Sequence, residues 1–298
     1  MALIAGDAHP QLAQDIARLT QASLVPTSVS AFADGETRVR IEGDVQDADL
    51  YIVQPTSPPT NERLMTLALI ADAARVAGAA RVTAVVPYFG YARQDVRKSD
   101  GEPRSAQLAA RILRTAGIDR LVALELHSAA LESAFEIRLV HLQADELVLL
   151  VIRGWAIGDL TIVAPDAGGM KRAQRYAAAL VAPLAVVAKG RPRPDVAVSV
   201  QVLGEVRGRR CLIVDDMAST GRTIVSAACA LHDAGAKEVH ALFIHAVMAA
   251  GALDDICAAS VRRIVTTDSV PRHPDPRVEV VSIAPLLAHA LTRLGART

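Results

Sequence analysis

The stretch CLIVDDMASTGRTIVSAACALHDAG, residues 211–235, contains the three parts of a strand–loop–helix unit. Its first four residues are apolar, as in a buried strand, and its last twelve have helical spacing and end in glycine. Between these parts lie two adjacent carboxylates, Asp215 and Asp216, and a run of small residues. The stretch therefore predicts a strand that ends at the carboxyl edge of a parallel sheet, followed by a polar loop and a helix.

The same alternation of strand and helix runs through the whole chain. Ala- and Leu-rich stretches with helical period separate apolar, β-branched runs, which read DLYIVQP, RVTAVVPYF, RLVALELHS, LTIVAPDAG, RRCLIVDDM, EVHALFIHA and RRIVTTDSV. Apolar strands between helices indicate sheets that are mainly parallel and covered by helices on both faces. The 298 residues, at about 150 per domain, predict an α/β protein of two similar domains, 1–145 and 146–298. Whether the last helix packs back on the first domain stays open.

The amino-acid composition argues against some classes of binding partner. Lys+Arg and Asp+Glu both number 32, which argues against bulk electrostatic attraction to nucleic acid or to an anionic membrane. The sequence has no apolar segment of about 18 residues, so no membrane span is expected. The three cysteines have no metal-ligand spacing, and they favour a reduced, cytoplasmic protein.

The polar loop after the strand CLIV has the chemistry of a phosphosugar site. Carboxylates accept hydrogen bonds from sugar hydroxyls, and the start of a helix offers free N–H groups to a phosphate. Such a ribose 5-phosphate site would consist of Asp215, Asp216, Ser219, Thr220, Gly221, Arg222 and Thr223. The alternative is an ordinary helix start, in which Ser219 or Thr220 caps the helix and the aspartates begin a turn.

Residues 211–225 resemble the phosphoribosyl-diphosphate motif of the type I phosphoribosyltransferase fold. Further motifs resemble those of the ribose-phosphate diphosphokinases and occur in the same order along the chain. They are SAFADGETRVRI, PTNERLM, VTAVVPYFGYARQD, LELHS, APDAGGMKRAQ and KGRPRP. The resemblance runs from about residue 3 to about residue 290. It implies two phosphoribosyltransferase-like domains, with ATP on the N-terminal side and ribose 5-phosphate on the C-terminal side.

The resemblance also implies a reaction. The family moves the diphosphoryl group of ATP to the C1 hydroxyl of ribose 5-phosphate, which leaves AMP and phosphoribosyl diphosphate. Such a transfer needs positioning and charge neutralisation more than covalent chemistry. Lys189 and Arg191 in AKGRPRPDV have the spacing of the family's catalytic loop cations. The alternative for this loop is a solvated basic turn.

The family's metal residues match His127 and Asp166, and the expected ion is Mg²⁺, which keeps several waters and takes few protein ligands. One departure lies beside them, because the family commonly has aspartate where this chain has Glu125. We expect Glu125 and His127 to lie on the same face of one strand.

On the ATP side, the matching residues are Arg93, Gln94 and Asp95. The loop FADGE matches a family loop that reaches the ATP site of a neighbouring subunit, so Asp34, Gly35 and Glu36 are expected to act in trans within a dimer or hexamer. Asp-Gly is also a strong hairpin-turn signal, and the two interpretations are compatible.

Some features depart from the family. Ser219 and Arg222 replace residues that are usual in bacterial members. The segment near residue 100 and the ending TRLGART also differ from the family segments that help bind regulatory phosphate and ADP. Weak regulation is therefore expected. The competing functions are a non-catalytic regulatory homologue and a nucleobase phosphoribosyltransferase. The first is disfavoured because the expected cations and metal residues are present, and the second does not need FADGE or PYFGYARQD.

Overall fold

The computed structural model describes residues 1–97, 99–128, 131–132, 135–190, 199–271 and 274–296, with the backbone alone at 189, 190 and 199. The chain divides into two compact units. The first consists of Met1–Ala144, Ser269–Pro271 and Ser282–Thr298, and the second of Asp145–Asp268 and Arg272–Val281. The last helix therefore belongs to the first unit.

The first unit contains eight strands among its described residues. They are β1 (Ala2–Ala5), β2 (Ser23–Leu24), β3 (Thr27–Ala31), β4 (Thr37–Ile41), β5 (Asp49–Val53), β6 (Arg81–Val86), β7 (Arg120–Leu124) and β8 (Arg138–Leu142). Six of them form a parallel sheet in the order β2-β1-β5-β6-β7-β8, and β3 and β4 form a separate antiparallel hairpin. The helices are α1 (Pro10–Thr20), α2 (Thr60–Val76), α3 (Ser105–Thr115) and, numbered last in the chain, α8 (Ala284–Gly295).

The apolar runs of the sequence form the central strands of this sheet. Helices cover both faces of the sheet, so these strands are buried on both sides. Alternate strand residues such as Ile4, Ile52 and Val86 are buried in the core that α2 and α3 share with the sheet. The residues between them, such as Leu3 and Val85, are also fully buried. Helix α1 contacts β1, β5 and α8. Burial on both faces explains why these strands are apolar throughout rather than alternating.

The second unit repeats the pattern with one larger sheet. Its described strands are β9 (Leu160–Ala164), β10 (Leu184–Gly190), β11 (Ser199–Leu203), β12 (Arg210–Ala218), β13 (Glu238–Ala246), β14 (Val261–Thr267) and β15 (Val278–Val281). They are ordered β11-β10-β9-β12-β13-β14-β15, and every pair is parallel except β10 with β11. The helices are α4 (Asp145–Gly154), α5 (Met170–Leu180), α6 (Arg222–Asp233) and α7 (Ala252–Ala258).

The predicted fold class is confirmed, since both units are helices around mainly parallel sheets. All seven apolar runs are strands, namely β5, β6, β7, β9, β12, β13 and β14. Because parallel strands share their carboxyl edge, the loops after β5, β6 and β7 are neighbours, and so are those after β9 and β12. No helix in the described part of the chain is long and apolar enough to cross a membrane.

Candidate active site

Strand β12 carries the two aspartates past the end of its neighbour β9. The pairing with β9 stops at Ile213, whereas the pairing with β13 continues to Ala218. Asp215 and Asp216 therefore lie in a strand segment that has a partner strand on one side. The alternative in which these aspartates start a turn is wrong, because β12 runs through both of them.

Both carboxylates face the guanidinium of Arg172. Its Nη1 lies 3.6 Å from Asp215 Oδ1 and 3.8 Å from Asp216 Oδ1. Burial and the neighbouring charge of Asp216 raise the pKa of Asp215 to about 8, and the charge of Arg172 opposes this only in part. Because the buried Asp215 is costly to ionise next to Asp216, a ligand that donates hydrogen bonds or brings positive charge would favour its charged form.

Sequence reasoning missed Arg172. It lies in the first turn of α5, which starts at the same sheet edge because β9 and β12 are adjacent. The available signal was its position just after PDAGG, a polar segment that follows a predicted strand. Its relation to the aspartates depends on strand order, which the sequence did not reveal.

The carbonyl groups at the end of β12 and the start of the following loop are bonded to the segment after β13. Ala218 O accepts from Met248 N–H at 2.9 Å, and Ser219 O accepts from Ala249 N–H at 2.8 Å. Within the described residues, the N–H groups of Ser219, Thr220 and Arg222 donate no hydrogen bond. These groups are therefore available to an anion at the start of α6.

The helix-cap alternative for this loop is also wrong. Helix α6 begins at Arg222, and its N-cap residue is Gly221, without a capping hydrogen bond from a side chain. Ser219 and Thr220 precede that position, and Thr223 follows it in the first helical turn. The structure thus brings together the seven residues predicted for ribose 5-phosphate along one strand end, one loop and one helix start.

The side chain of Arg222 is associated with a different surface. Arg222 lines an open groove of about 320 Å³ with Val225 and Cys229 of α6 and Asp255 of α7. Positions 222, 225 and 229 share one helical face, while the buried face of α6 is formed by Ile224, Ala227, Ala228 and Leu231. The departure at position 222 therefore adds a charge beside α7.

The predicted ATP residues follow β6 in the first unit. Arg93 and Gln94 are exposed, and Gln94 N–H donates to Tyr91 O at 2.8 Å. Asp95 is partly buried and accepts a hydrogen bond from the Ser128 hydroxyl. This bond joins the loop after β6 to the loop after β7, which contains His127.

The expectation for Glu125 is wrong. Strand β7 ends at Leu124, and Glu125 has a left-handed backbone with φ +43°, which interrupts the strand alternation. Its side chain is buried, and Glu125 Oε1 accepts from Ala144 N–H at 3.2 Å, whereas His127 is exposed. Glu125 therefore belongs to the buried part of the loop after β7, outside the strand in which it was expected.

Asp166 lies in the second unit, exposed in the loop after β9. Its Oδ1 accepts from Gly169 N–H at 3.1 Å, next to the start of α5. Among the residues that the structure describes, no three His, Cys, Asp or Glu side chains come together as a metal cluster. The exposed carboxylate of Asp166 is an oxygen ligand of the kind that hard divalent cations accept.

The predicted hairpin turn at Asp34 and Gly35 is confirmed. Gly35 has φ +92°, Phe32 N–H donates to Glu36 O at 2.8 Å, and Glu36 N–H donates to Asp34 Oδ1 at 3.1 Å. The whole tip from Ala31 to Glu36 is exposed. A role in trans for this tip stays a prediction.

Of the two predicted catalytic cations, Lys189 lies near the end of β10, and its backbone pairs with Val200 of β11. Strand β10 is adjacent to β9, so its end is at the edge from which Asp166 projects. Arg191 lies outside the described residues.

Comparisons with known proteins agree along the whole chain. Residues 1–117 match the N-terminal domain of ribose phosphate pyrophosphokinase, and residues 139–278 match the phosphoribosyl transferase domain. The ribose-phosphate pyrophosphokinase of Maricaulis maris is 41% identical over 300 residues, covering 99% of this chain and 97% of its own. The ribose-phosphate pyrophosphokinase of Gloeobacter violaceus is 40% identical over 296 residues, covering 98% of this chain and 89% of its own. The chain belongs to the ribose-phosphate pyrophosphokinase family.

A solved structure supports this membership. The crystal structure of phosphoribosylpyrophosphate synthetase from Mycobacterium smegmatis superposes with a TM-score of 0.94 at 34% identity, covering 100% of this chain and 99% of that one. A nucleobase phosphoribosyltransferase does not account for the match of residues 1–117 to the pyrophosphokinase N-terminal domain. The membership predicted from the motifs is confirmed.

Within this family site, Gly221→Ala tests the loop backbone. Gly221 has φ +72°, and a Cβ there would lie 3.0 Å from Ala252 O. A left-handed alanine costs about 1–2 kcal/mol, and the close contact adds to it, so we expect a lower melting temperature and a higher KM for ribose 5-phosphate. Gly208→Ala is the matched control, because Gly208 has φ +74° with open space around it. Equal effects in both variants would show that the contact with Ala252 is irrelevant.

Proposed function

We propose that this chain is an active ribose-phosphate pyrophosphokinase. It transfers the diphosphoryl group of ATP to the C1 hydroxyl of ribose 5-phosphate and releases AMP and phosphoribosyl diphosphate. The observation that carries the proposal is the pair Asp215 and Asp216 beside the open N–H groups of Ser219, Thr220 and Arg222, in a chain of this family.

We assign ribose 5-phosphate to residues of the second unit. Asp215 and Asp216 accept hydrogen bonds from the ribose hydroxyls, which hold the C1 hydroxyl in one orientation. Ser219, Thr220, Gly221, Arg222 and Thr223 bind the phosphate through backbone N–H groups and hydroxyls at the start of α6, where the helix dipole also favours an anion. Because Arg222 extends toward α7, its backbone is the part that binds phosphate.

We assign ATP to Arg93, Gln94 and Asp95 of the first unit. In the transfer, the C1 oxygen forms a bond to the β-phosphorus, the bond from that phosphorus to the oxygen of AMP breaks, and the hydroxyl proton is released. Lys189 and Arg191 neutralise negative charge that develops on the transferring group. Bound Mg²⁺ would supply further charge neutralisation at the phosphate oxygens, and the residues that would serve as its ligands are His127 in the first unit and Asp166 in the second.

A direct assay tests the activity. The purified protein with ATP, ribose 5-phosphate and Mg²⁺ should form AMP and phosphoribosyl diphosphate in equal amounts. AMP distinguishes diphosphoryl transfer from single phosphoryl transfer, which would release ADP. Omission of ribose 5-phosphate should stop AMP formation. A folded protein that binds both substrates and forms no AMP would support the non-catalytic alternative.

We further propose that the protein self-associates and acts in the cytoplasm. The exposed hairpin tip carries Asp34, Gly35 and Glu36, with Phe32 half exposed beside them. These residues complete the ATP site of a neighbouring subunit, which requires at least a dimer. Cys211, Cys229 and Cys257 form no disulfide, which fits a reducing compartment.

Mixing two inactive variants tests the role in trans. The variant Asp34→Ala/Glu36→Ala lacks the hairpin carboxylates, and Lys189→Ala lacks the loop cation. Subunit exchange between them creates sites in which both defects are absent, so activity should partly return. Each variant incubated alone under the same conditions is the control. Mass spectrometry verifies that the subunits have exchanged. If activity does not return after verified exchange, the trans assignment is excluded.

A further inference from the structure

The loop that carries Arg93, Gln94 and Asp95 is attached to the loop after β5 by short hydrogen bonds. Gly90 N–H donates to Thr56 Oγ1 at 2.7 Å, and Thr56 N–H donates to Tyr88 O at 2.9 Å. A Cβ on Gly90 would lie 2.6 Å from Thr56 O, so the two backbones are in direct contact. The segment Tyr88–Gly90 is therefore fixed on the neighbouring loop.

Tyr91, the next residue, has an unusual backbone. Its φ is +66°, a left-handed conformation that costs a non-glycine residue about 1–2 kcal/mol. Such conformations persist where surrounding contacts determine them, and they are concentrated at functional sites. The contacts here include the packing of Tyr91 against the hydrophobic core and a hydrogen bond from its hydroxyl to Asn61 Oδ1, in the first turn of α2.

The conformation of Tyr91 decides where the following residues point. Its carbonyl accepts Gln94 N–H at 2.8 Å, which closes the turn that contains Arg93. Gln94 is held further by its own carbonyl, which accepts Ala106 N–H at 3.3 Å at the start of α3. A change of φ at Tyr91 would therefore move Arg93 and Gln94 together.

We propose that Asn61 and Tyr91 are positioning residues for ATP. Their hydrogen bond joins helix α2 to the loop after β6 and holds Tyr91 in the left-handed conformation that presents Arg93 and Gln94. The inference rests on the proposed function for the assignment of ATP to this loop. The bond itself touches no reacting atom, so its loss should affect the binding of ATP and spare that of ribose 5-phosphate.

The test combines three variants with one control. Tyr91→Phe and Asn61→Ala each remove the bond, and Asn61→Asp keeps an oxygen acceptor at the same position. Tyr51→Phe is the control, because it removes a hydroxyl that bonds Asp49 at the start of β5, the opposite end of the sheet. We expect Tyr91→Phe and Asn61→Ala to raise KM for ATP about 3- to 10-fold, the loss of one hydrogen bond.

The same experiment separates positioning from general stability. The double variant Tyr91→Phe/Asn61→Ala should be no worse than either single variant, because both remove one interaction. Asn61→Asp and Tyr51→Phe should retain a KM for ATP close to that of the unchanged protein, and KM for ribose 5-phosphate should not change in any variant. An unchanged KM for ATP in Tyr91→Phe, or additive effects in the double variant, would overturn the proposal.

A measurement without turnover distinguishes this inference from the proposed function. Calorimetric ATP binding and hydrogen exchange of the Gly90 and Gln94 amides are compared in the unchanged protein and Tyr91→Phe. Weaker ATP binding with faster exchange in the variant supports the positioning role even if no AMP is ever formed. Equal affinity or equal exchange would overturn the inference alone, whereas the absence of ATP binding in both proteins would overturn the proposed ATP assignment together with it.

Discussion

Replacement of Lys189 by alanine is expected to lower the turnover number about 10²- to 10³-fold, with little change in the KM of either substrate. The reason is that its charge is required mainly when negative charge develops on the transferring diphosphoryl group, and an interaction made only in the transition state lowers kcat rather than binding. Steady-state kinetics with each substrate varied in turn measures both parameters.

Lys237→Ala is the control for this variant. Lys237 is exposed immediately before β13, at the opposite edge of the sheet from the end of β10, and its loss should leave kcat unchanged. A large increase in KM for either substrate at an unchanged kcat in Lys189→Ala would show that the lysine only binds substrate. A similar decrease of kcat in both variants would point to a nonspecific charge effect.

Asp215→Asn is expected to have opposite effects on binding and stability. Above about pH 8, where Asp215 is ionised, it removes a carboxylate acceptor from the ribose hydroxyls and should weaken ribose 5-phosphate binding by about 1–3 kcal/mol, with ATP binding nearly unchanged. Calorimetric titration with each substrate alone measures the two affinities. Equal weakening of both substrates would contradict the assignment of Asp215 to the sugar.

The same substitution should stabilise the free protein at and above neutral pH. The pKa of Asp215 is raised from 3.8 to about 8, so the folded protein binds more protons than the unfolded chain between these values. The contribution of Asp215 to the free energy of unfolding therefore decreases as pH rises from about 4 to about 8. The asparagine carries no ionisable group and removes this decrease.

Melting temperatures measured from pH 5 to pH 8.5 test this expectation. Asp215→Asn should melt higher than the unchanged protein at pH 8, and the difference should shrink toward pH 5. Asp233→Asn, which removes an exposed carboxylate at the end of α6, is the control and should show no such trend. A destabilised Asp215→Asn protein at pH 8 would show that Arg172 fully compensates the carboxylate.

Much of the central sheet could be predicted from the sequence because its strands are buried on both faces. Strands β5, β6, β7, β9, β12, β13 and β14 are apolar runs that no exposed element would tolerate, and glycines mark several of the helix ends that follow them. The edge strands β2, β8, β11 and β15 were missed, because they are short or partly exposed, and the inner strands β1 and β10 were not singled out either. The hairpin β3–β4 was recognised only by its Asp-Gly turn.

The sequence by itself determined the chemistry of the site that we propose for ribose 5-phosphate, since two carboxylates, small residues and a helix start are contiguous between residues 215 and 223. Tertiary structure decided which distant groups face them. Arg172 contacts Asp215 and Asp216 because β9 and β12 are adjacent, and Glu125 is buried because a left-handed backbone turns it away from the strand pattern. Strand order and backbone conformation arise from the folding of the whole chain, so no local pattern in the sequence encodes these contacts.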